Sequence, residues 1–386
     1  MKKIRIAFVE TNCKKNGPIK QTLSVIRYMN RDIFEPALIT VWPEEPENSM
    51  LDEYRNLNIP MFCCNLSKKS SIILGKKKVG KFLTQYNADI VQGVGIPPYR
   101  MTLGYKNAVH LVTLRNYCYE DYPDQYTKGI GTLMAFADMQ LIRCKLRNGE
   151  PFVTCSKSLT DIYSSKENMD IPFIRNGVDI NQYRKRSSER IIFLREKLDL
   201  PQNKLLFVYS GSLIDRKNQG EAIEAFLEME HREDAVLLLL GDGKNRGKLE
   251  DKYGVYDNVI FRGKVSNVED FLHACDVYVS TSKSEGLPNG VLEAMACGLP
   301  VILSDIPQHM EILNVDKSCG HSYHLGNEEE LTKIFDYILT ENLQEMGDKS
   351  YTTVINNFSA QGMSRQYQDL YLKLLKKDNE FKDDSL

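Results

Sequence analysis

The chain of 386 residues has few of the features that mark specialised classes of protein. It contains one tryptophan, and its six histidines and nine cysteines are scattered, with no CxxC pair and no His/Cys cluster at zinc spacing. Cys63 and Cys64 form the only close pair of cysteines, and adjacent residues rarely suit a disulfide. We therefore predict no metal site and a reducing, cytosolic compartment.

Charge and hydropathy exclude two more classes. The formal net charge is −2, so the overall basic charge of a nucleic-acid-binding protein is missing. Residues 1–9 form a charged start followed by a short apolar stretch, which lacks the apolar length of a signal peptide or a membrane span. Any membrane contact is therefore expected to be peripheral. A chain of this length exceeds the usual size of one core, and two domains are expected.

Residues 280–304 form the stretch around which the other motifs are arranged. Residues 277–279 predict the end of a buried strand, and residues 301–303 predict the next strand. Between them, residues 285–290 predict a loop and residues 291–297 a helix, with Asn289 as its N-cap. This is a βαβ unit whose loop lies at the carboxyl end of a parallel strand, where open α/β sheets bind ligands.

The residue types in this loop and helix suit a nucleotide sugar. The helix N-terminus offers free backbone N–H groups and a positive dipole end to a phosphate. Glu293 lies about 6 Å along the helix from Asn289, where it could accept hydrogen bonds from ribose hydroxyls, and Glu285 could accept them from a second polyol. The spacing alone leaves another interpretation open, in which Glu285 caps the helix and Glu293 is an exposed helix residue.

The sequence SEGLPNGVLEAMACGLPV at residues 284–301 closely resembles the signature of retaining glycosyltransferase family four. These are the group 1 glycosyltransferases of GT-B fold, and the signature contains two glutamates separated by seven residues. Further segments resemble that family in the expected order, namely FIRNGVD (173–179), YSGSLIDRKN (209–218), LLGDG (239–243), VIFRGKV (259–265) and HACDVYVSTS (273–282).

The resemblance implies roles for individual residues. Arg216 and Lys217 would neutralise the leaving diphosphate and Glu285 would hold the donor sugar, which makes these three the candidate catalytic residues. Glu293 would hold the ribose. The family often has an arginine after the loop glycine, where this chain has Ser212, so Arg216 is inferred to supply the second positive charge. The other candidate donor-binding residues are Gly211, Ser212, Gly241, Val265, Gly286, Leu287, Pro288 and Asn289.

Candidate acceptor residues lie in the first half of the chain. The resemblance implies that Gly17, in a loop after the first strand, touches both donor and acceptor, and a plain turn glycine is the alternative. Related enzymes often have a histidine where this chain has Arg115 and Asn116. The guanidinium of Arg115 could bind an anionic group but could not act as a base. Tyr117 and the tyrosines after it could stack on an acceptor sugar or pack between the domains.

Residues 66–86 form a basic stretch in which apolar residues alternate with lysines. Such a segment can lie on an anionic bilayer, or it can be a solvated helix face, as charge runs usually are. Membrane contact is of interest here because many enzymes of the resembled family act on lipid-linked acceptors. The lysines are Lys68, Lys69, Lys76, Lys77, Lys78 and Lys81.

We therefore predict an α/β protein of GT-B fold, with two Rossmann-like doubly wound domains facing across a cleft. Residues 1–185 would form the acceptor domain, with a helix at about 359–386 crossing back onto it, and residues 186–358 the donor domain. The boundary is expected in the charged, irregular stretch 180–200.

The resemblance implies transfer of a sugar from a nucleotide-diphosphate sugar to a glycan or lipid-linked acceptor with retention of anomeric configuration. A UDP-sugar is favoured, and no cofactor or obligatory metal is expected. Cell-surface polysaccharide or glycolipid biosynthesis, in the cytoplasm or at the inner face of its membrane, would be the setting. Two alternatives are a non-catalytic nucleotide-sugar-binding subunit, which the missing histidine favours, and a sugar-nucleotide epimerase, for which no suitable acid/base pair is evident.

Overall fold

The protein, described by a computed structural model over residues 2–383, divides into two compact units. Unit 1 combines the chain up to Gly177 with the residues from Ala360 onward, and unit 2 is Val178–Ser359. Each unit contains a six-stranded sheet whose paired strands all run parallel. Apolar clusters cover both faces of each sheet. The predicted fold class, two Rossmann-like doubly wound α/β units, is confirmed.

Unit 1 alternates strands and helices along the chain. Its last helix comes from the segment of chain that follows unit 2. Its elements are β1 (Ile4–Glu10), α1 (Gly17–Arg27), β2 (Phe34–Thr40), a 3₁₀ turn (Pro46–Asn48), α2 (Leu51–Arg55), β3 (Met61–Cys63), α3 (Lys68–Tyr86), β4 (Ile90–Val94), α4 (Ile96–Thr102), β5 (Val109–Leu114), α5 (Cys118–Gln125), α6 (Lys128–Arg147), β6 (Phe152–Thr154), α7 (Lys157–Glu167) and α16 (Ala360–Asp383).

Unit 2 follows the same alternation in one continuous stretch of chain. Its elements are α8 (Ser188–Lys197), β7 (Leu205–Ser210), α9 (Gln219–Leu227), a 3₁₀ turn (Arg232–Asp234), β8 (Ala235–Leu240), α10 (Arg246–Tyr253), β9 (Val259–Gly263), α11 (Val268–Ala274), β10 (Val277–Ser280), α12 (Asn289–Ala296), β11 (Val301–Ser304), α13 (Pro307–Leu313), a 3₁₀ turn (Lys317–Cys319), β12 (Gly320–Tyr323), α14 (Glu328–Tyr337), a 3₁₀ turn (Ile338–Thr340) and α15 (Leu343–Asn357).

The two sheets have the same strand order when each is counted from its own first strand. The order is β3-β2-β1-β4-β5-β6 in unit 1 and β12-β11-β10-β7-β8-β9 in unit 2. Strand order reverses between β1 and β4 in the first sheet and between β7 and β10 in the second. Ligands of open α/β sheets bind at the carboxyl ends of the strands at this reversal, so the loops after β7 and β10 define the place to examine in unit 2.

The strands form where runs of apolar residues can be buried on both faces. All six residues of β8, Ala-Val-Leu-Leu-Leu-Leu, are buried, as expected for a central strand of a parallel sheet. Several helices begin at side-chain caps, as at Asn16, whose side chain accepts a hydrogen bond from the backbone N–H of Ile19. This cap makes Gly17 the first residue of α1 rather than the loop glycine that the sequence predicted.

The boundary between the units lies earlier than residue 186. The N–H of Val178 donates to the carbonyl of Phe358 at 2.8 Å, and the N–H of Arg186 donates to that of Cys297 at 3.2 Å, so both ends of this segment are tied into unit 2. The stretch predicted as irregular contains α8, whose N-cap Ser187 accepts a hydrogen bond from the N–H of Arg190. The charged residues of this stretch led to the prediction of irregular structure, and the short capped helix α8 was missed.

Helix α16 packs on α1 within unit 1. Met363, Tyr367 and Tyr371 are buried in the same apolar cluster as strand β1, and the Ser364 hydroxyl donates to the Val25 carbonyl at 2.8 Å. The sequence predicted this helix over about 359–386, of which residues 384–386 lie outside the described part of the chain.

Candidate active site

The strand order of unit 2 brings together two loops that are far apart in the chain. Strands β7 and β10 are neighbours in the sheet, and the loops after them carry Arg216 and Lys217 on one side and Glu285 on the other. The Lys217 Nζ donates to Glu285 Oε1 at 2.5 Å, and the Arg216 Nη1 donates to Glu285 Oε2 at 3.1 Å. The three predicted catalytic residues therefore form one ion cluster at the reversal point of the sheet.

The electrostatics of this cluster fix the charge of Glu285. Burial alone would raise the pKa of this carboxyl group, but the Lys217 ammonium and the Arg216 guanidinium lower it to about 2. The carboxylate is therefore ionised at neutral pH and only accepts hydrogen bonds. Arg216 is held further by the carbonyl of Ser284, which its Nη1 contacts at 2.5 Å, so the cations are oriented before any ligand arrives.

A chain of buried hydroxyls connects Glu285 to a buried histidine. Ser282 hydrogen-bonds Glu285, its Oγ lies 3.3 Å from that of Ser280, and Ser280 Oγ lies 3.2 Å from His309 Nε2. Burial lowers the pKa of His309 to about 4, so its imidazole is neutral. On the other side of the ring, His309 Nδ1 lies 3.0 Å from the Ser304 carbonyl oxygen and 2.9 Å from Ser304 Oγ. These buried hydroxyls and the imidazole lie behind the Glu285 carboxylate and help to hold it in position.

Two glycines allow the backbone of the neighbouring loop to approach closely. Gly211 and Gly241 follow β7 and β8, with φ of +156° and +145°. A Cβ on Gly241 would lie 1.8 Å from the carbonyl oxygen of Gly211, so no other residue fits there without moving the loop. The turn after β7 therefore has a fixed shape that a side chain at Gly241 would destroy.

Helix α12 begins beside the ion cluster, two residues earlier than predicted. Asn289 is its first residue and Pro288 its N-cap, with no side-chain cap, so the prediction that Asn289 caps the helix is wrong. A Cβ on Gly290 would lie 2.4 Å from the Tyr278 hydroxyl, and the first turn thus packs tightly on β10. The alternative in which Glu285 caps this helix does not fit, because its carboxylate contacts the two cations.

Glu293 lies inside this helix and is buried, not exposed as the alternative interpretation required. Only 7% of its surface is accessible. The Tyr183 hydroxyl hydrogen-bonds the Glu293 carboxylate. The pKa of this phenol is raised mainly by burial and also by the charge of the carboxylate. A buried carboxylate held by a tyrosine close to a helix N-terminus can accept further hydrogen bonds from ligand hydroxyls.

The remaining predicted donor residues are divided between surface and core. Ser212 is exposed, and its carbonyl accepts a hydrogen bond from Gln219 Nε2 at 2.9 Å. Gly286 and Pro288 are buried. The side chains of Leu287 and Val265 pack in or against the main apolar cluster of unit 2, which leaves only their backbone groups to contact a ligand.

In unit 1, Arg115 lies near a buried carboxyl group at the carboxyl end of β1. Its Nη1 donates to Asn176 Oδ1 at 2.7 Å. Glu10 accepts a 2.6 Å hydrogen bond from the Thr22 hydroxyl. Burial raises its pKa to about 8, against the opposing effects of Thr22 and of the Arg115 charge. At neutral pH this carboxyl group is therefore mainly protonated.

Tyr117 does not fit the predicted tyrosine surface, whereas Tyr126 is exposed and Tyr119 lines an open cavity. Tyr117 is 7% exposed, packs edge-on against Tyr163 and donates its hydroxyl to Glu167 at 2.5 Å. Its ring belongs to the core of unit 1 and offers no face to a sugar. Its neighbour Asn116 accepts a hydrogen bond through its carbonyl from the Tyr163 hydroxyl at 3.3 Å, and a role for the Asn116 side chain stays a prediction.

Over residues 2–383, no group of three or more His, Cys, Asp or Glu side chains is arranged to hold a metal ion. The charges at the candidate site are instead the two cations and one anion of the ion cluster. The expectation of a reaction without an obligatory metal stays a prediction.

The fold, two Rossmann-like units with a cationic loop facing a buried glutamate in the second, is that of GT-B glycosyltransferases. Residues 191–356 match the family model described as "Glycosyl transferases group 1", and this range contains both loops of the ion cluster, α12 and the His309 network. Over these residues the chain resembles the group 1 glycosyltransferases, as the motifs predicted.

Individual proteins resemble the chain over different lengths. N-acetyl-alpha-D-glucosaminyl L-malate synthase of Bacillus anthracis is 25% identical over 248 residues, 62% of this chain and 63% of that protein, so the match spans less than two thirds of its length. The O-antigen biosynthesis glycosyltransferase WclY of Escherichia coli is 24% identical over 97% of this chain and 99% of its own. The crystal structure of Anabaena HepE in complex with UDP-glucose has the same fold, with a TM-score of 0.78 at 18% identity over 96% of this chain and 100% of that one.

Sequence reasoning missed the residues that support the site from behind. Ser280, Ser282 and His309 are fully or almost fully buried polar residues, and Tyr183 lies in a segment without a motif. Serines within a buried strand were a usable signal, because buried hydroxyls need partners. No sequence pattern near His309 identified it as that partner.

Proposed function

We propose that this protein transfers a sugar from a nucleotide-diphosphate sugar, with a UDP-sugar favoured, to a glycan or lipid-linked acceptor with retention of anomeric configuration. The observation that carries the proposal is the ion cluster of Arg216, Lys217 and Glu285 at the reversal point of the unit 2 sheet. The UDP-glucose complex of the similar HepE fold and the name of the WclY relative support a nucleotide-sugar donor and a cell-surface glycan pathway.

The cluster suits a leaving diphosphate. Charge accumulates on the diphosphate as the bond to the sugar breaks, and cations already held in place stabilise that charge without reorganising. Arg216 and Lys217 are mostly buried, with 16% and 19% of their side chains exposed, so their charges are weakly screened. The ionised Glu285 keeps them in position and can accept hydrogen bonds from donor-sugar hydroxyls.

The N-terminal end of α12 would complete the donor site. Glu293 accepts hydrogen bonds from the ribose hydroxyls, and the first backbone N–H groups of the helix face a phosphate. No nucleophilic side chain is assigned, in keeping with attack of the acceptor hydroxyl on the face from which the diphosphate departs. Arg115 is the candidate for an anionic group of the acceptor, and no metal or cofactor takes part.

We also propose peripheral membrane contact through the lysine-rich helix α3, at the inner face of the cytoplasmic membrane. All six lysines of α3 are exposed, and an anionic surface attracts such a segment by about 1 kcal/mol per basic residue. No helix within residues 2–383 is long and apolar enough to cross a bilayer.

The first test compares ligand binding with turnover. Thermal shift with uridine, guanosine and adenosine diphosphates and their sugar conjugates should give a selective shift with one nucleotide. Because Glu293 would contact the ribose and Glu285 the sugar, Glu293→Ala should lose that shift, whereas Glu285→Ala should mainly lower transfer. Equal and small effects of both variants on turnover would contradict these roles. A shift without transfer to any acceptor would favour the non-catalytic subunit.

A further inference from the structure

Unit 1 exposes two groups of large apolar side chains. The first, the α3 patch, consists of Ile72, Ile73 and Leu74, of which the isoleucines are 83% and 81% exposed. The second, the α6 patch, lies near the start of α6. Of the ten exposed large apolar side chains in the described part of unit 1, seven belong to these two patches. The α6 patch is formed by Ile130, Leu133, Met134 and Phe136.

Both helices pack on the same face of the unit 1 sheet. Ala7 of β1 pairs with Val91 of β4, and two residues further along β4, Gly93 pairs with Val112 of β5, which pairs with Phe152 of β6. Since side chains two apart on a strand share a face, these residues lie on one side. Helix α3 packs over the β1 end of that side and α6 over the β6 end.

Helix α4 lies between them and contacts both. A Cβ on Gly75 of α3 would lie 2.9 Å from Met101 Sδ of α4. From the other side of α4, the Arg100 Nε donates to Asp138 Oδ1 of α6 at 3.0 Å. The three helices therefore form one continuous layer, and the two patches belong to the same outer surface.

Both patches also lie toward the same edge of the sheet. Helix α3 starts after the carboxyl end of β3, and α6 ends shortly before the amino end of β6, so both helices run back from the carboxyl edge of the sheet. The α3 patch is in the first two turns of α3, and the α6 patch is in the first half of α6. Each is thus near the carboxyl edge of the sheet, where the candidate acceptor residue Arg115 follows β5.

The helix segments that carry the patches contain lysines and no acidic residues, whereas α5, which packs against α6, contains Glu120 and Asp121, and Glu120 is paired with Lys166. Helix α3 contains six lysines and no acidic residue. The segment from Lys128 to Phe136 contains no acidic residue either, and Asp138, the first in α6, is buried against Arg100. Lys128, Leu133 and Phe136 also line an open cavity of about 620 Å³ with Tyr119. Exposed apolar side chains beside the six lysines of α3 and beside Lys128 of α6 suit the interface of an anionic bilayer.

We propose that the α3 and α6 patches form one two-point docking surface for an anionic lipid bilayer, with the α6 patch as a contact equal in importance to the basic helix. Two separated points fix the orientation of unit 1, which one helix cannot do, and hold its carboxyl edge against the headgroups. The inference rests on the proposed membrane contact of α3 and adds a second site to that contact. It does not rest on the proposed transfer reaction.

The test uses tryptophan fluorescence on vesicles of equal parts phosphatidylglycerol and brominated phosphatidylcholine. The single tryptophan, Trp42, reports on α3, because its Nε1 donates to Ser71 Oγ at 3.1 Å and Lys68 lies over its ring. Trp42→Phe combined with Phe136→Trp moves the reporter to the α6 patch. Trp42→Phe combined with Val255→Trp, at an exposed apolar residue of unit 2, is the control.

We expect bromine to quench the reporters at 42 and 136 and to leave the reporter at 255 unquenched. In the otherwise unaltered chain, Leu133→Gln with Phe136→Gln should weaken vesicle partitioning about tenfold, since each side chain loses part of its transfer from water. The matched pair Ile192→Gln with Phe193→Gln removes equally exposed apolar side chains from α8 in unit 2 and should change it less than twofold.

Three outcomes would overturn the inference. If the reporter at 42 is quenched and that at 136 is not, α3 alone contacts the bilayer. If neither is quenched, the membrane contact of α3 fails as well, while transfer measured on water-soluble substrates is unaffected. Without vesicle binding, a dimer in sedimentation that Leu133→Gln with Phe136→Gln abolishes would assign the α6 patch to a second copy of the chain.

Discussion

Replacing Glu285 by glutamine should destabilise the protein and yet strengthen its response to a diphosphate. The pKa of this carboxyl group lies at about 2 instead of its ordinary 4.5, and this difference corresponds to about 3 kcal/mol of preference for the charged form in the folded protein. Glutamine keeps the size of the side chain and removes the charge. The two mostly buried cations would then lack their counter-ion, which is costly.

The expected loss is measurable by heat. For a unit of this size, 1 kcal/mol shifts the midpoint by roughly 2–4 °C, so Glu285→Gln should lower the melting temperature of unit 2 by roughly 6–12 °C. Glu233→Gln is the matched control in the same unit, because its side chain is 84% exposed in an ion pair with Arg232. An exposed pair of this kind contributes at most about 1 kcal/mol.

The ligand effect should have the opposite sign. In the wild type, Glu285 competes with a diphosphate for Arg216 and Lys217, and in the variant these cations are available to it. Uridine diphosphate, or whichever nucleotide the screen selects, should therefore raise the melting temperature of Glu285→Gln more than that of the wild type. The reasoning would be refuted if Glu285→Gln had the same melting temperature as Glu233→Gln, or if no diphosphate raised the melting temperature of Glu285→Gln.

The pH dependence gives an independent check of the sign. A carboxyl group with a lowered pKa contributes its stability above the unfolded value and loses it as pH falls toward the folded value. The difference in unfolding free energy between wild type and Glu285→Gln should hold from neutral pH to about pH 4.5 and shrink toward pH 2. Denaturant titrations at several pH values measure it, and a difference that grows on acidification would be the wrong sign.

Two further changes test other parts of the structure. Glu10→Gln should stabilise unit 1 increasingly between pH 4.5 and about pH 8. Burial raises the pKa of this carboxyl group to about 8, so over this range the folded wild type must retain a proton that the unfolded chain releases. Denaturant titrations in which the variant's unfolding free energy exceeds that of the wild type by the same amount at every pH would contradict this. Gly241→Ala should lower stability by more than about 2 kcal/mol, because its Cβ would overlap the Gly211 carbonyl, whereas Gly220→Ala in α9, with nothing within 4 Å of the new Cβ, should cost nothing; equal melting temperatures would show that the loop adjusts.

The sequence predicted those parts of the molecule that depend on local patterns. Apolar runs such as 235–240 identified buried parallel strands, and the motif that contains Glu285 and Glu293 identified the loop and helix of the candidate site. Arg216 and Lys217 were assigned to the same site from the family resemblance. That they contact Glu285 directly depends on β7 lying beside β10, and neither loop alone carries that information.

Other predictions failed where one residue's partner decided its role. Gly17 begins a helix instead of lying in a loop, because the Asn16 side chain caps that helix; its contact with donor and acceptor stays a prediction. Pro288 rather than Asn289 is the N-cap of α12, a difference that composition does not determine. Tyr117 was assigned to a surface because tyrosine suits a sugar, but Glu167, fifty positions away, accepts its hydroxyl within the core. Long-range hydrogen bonds of this kind are invisible to periodicity.

The discontinuous composition of unit 1 has a consequence for synthesis of the protein. Unit 2 is one uninterrupted segment, whereas unit 1 needs α16 from beyond it. On the ribosome, the chain emerges from its amino end and units fold as they become complete, so unit 2 can finish first while the apolar face of α1 still waits for Tyr367 and Tyr371. A chain truncated after Ser359 would contain all of unit 2 beside a unit 1 that exposes the apolar face of α1, and we expect this truncated chain to aggregate.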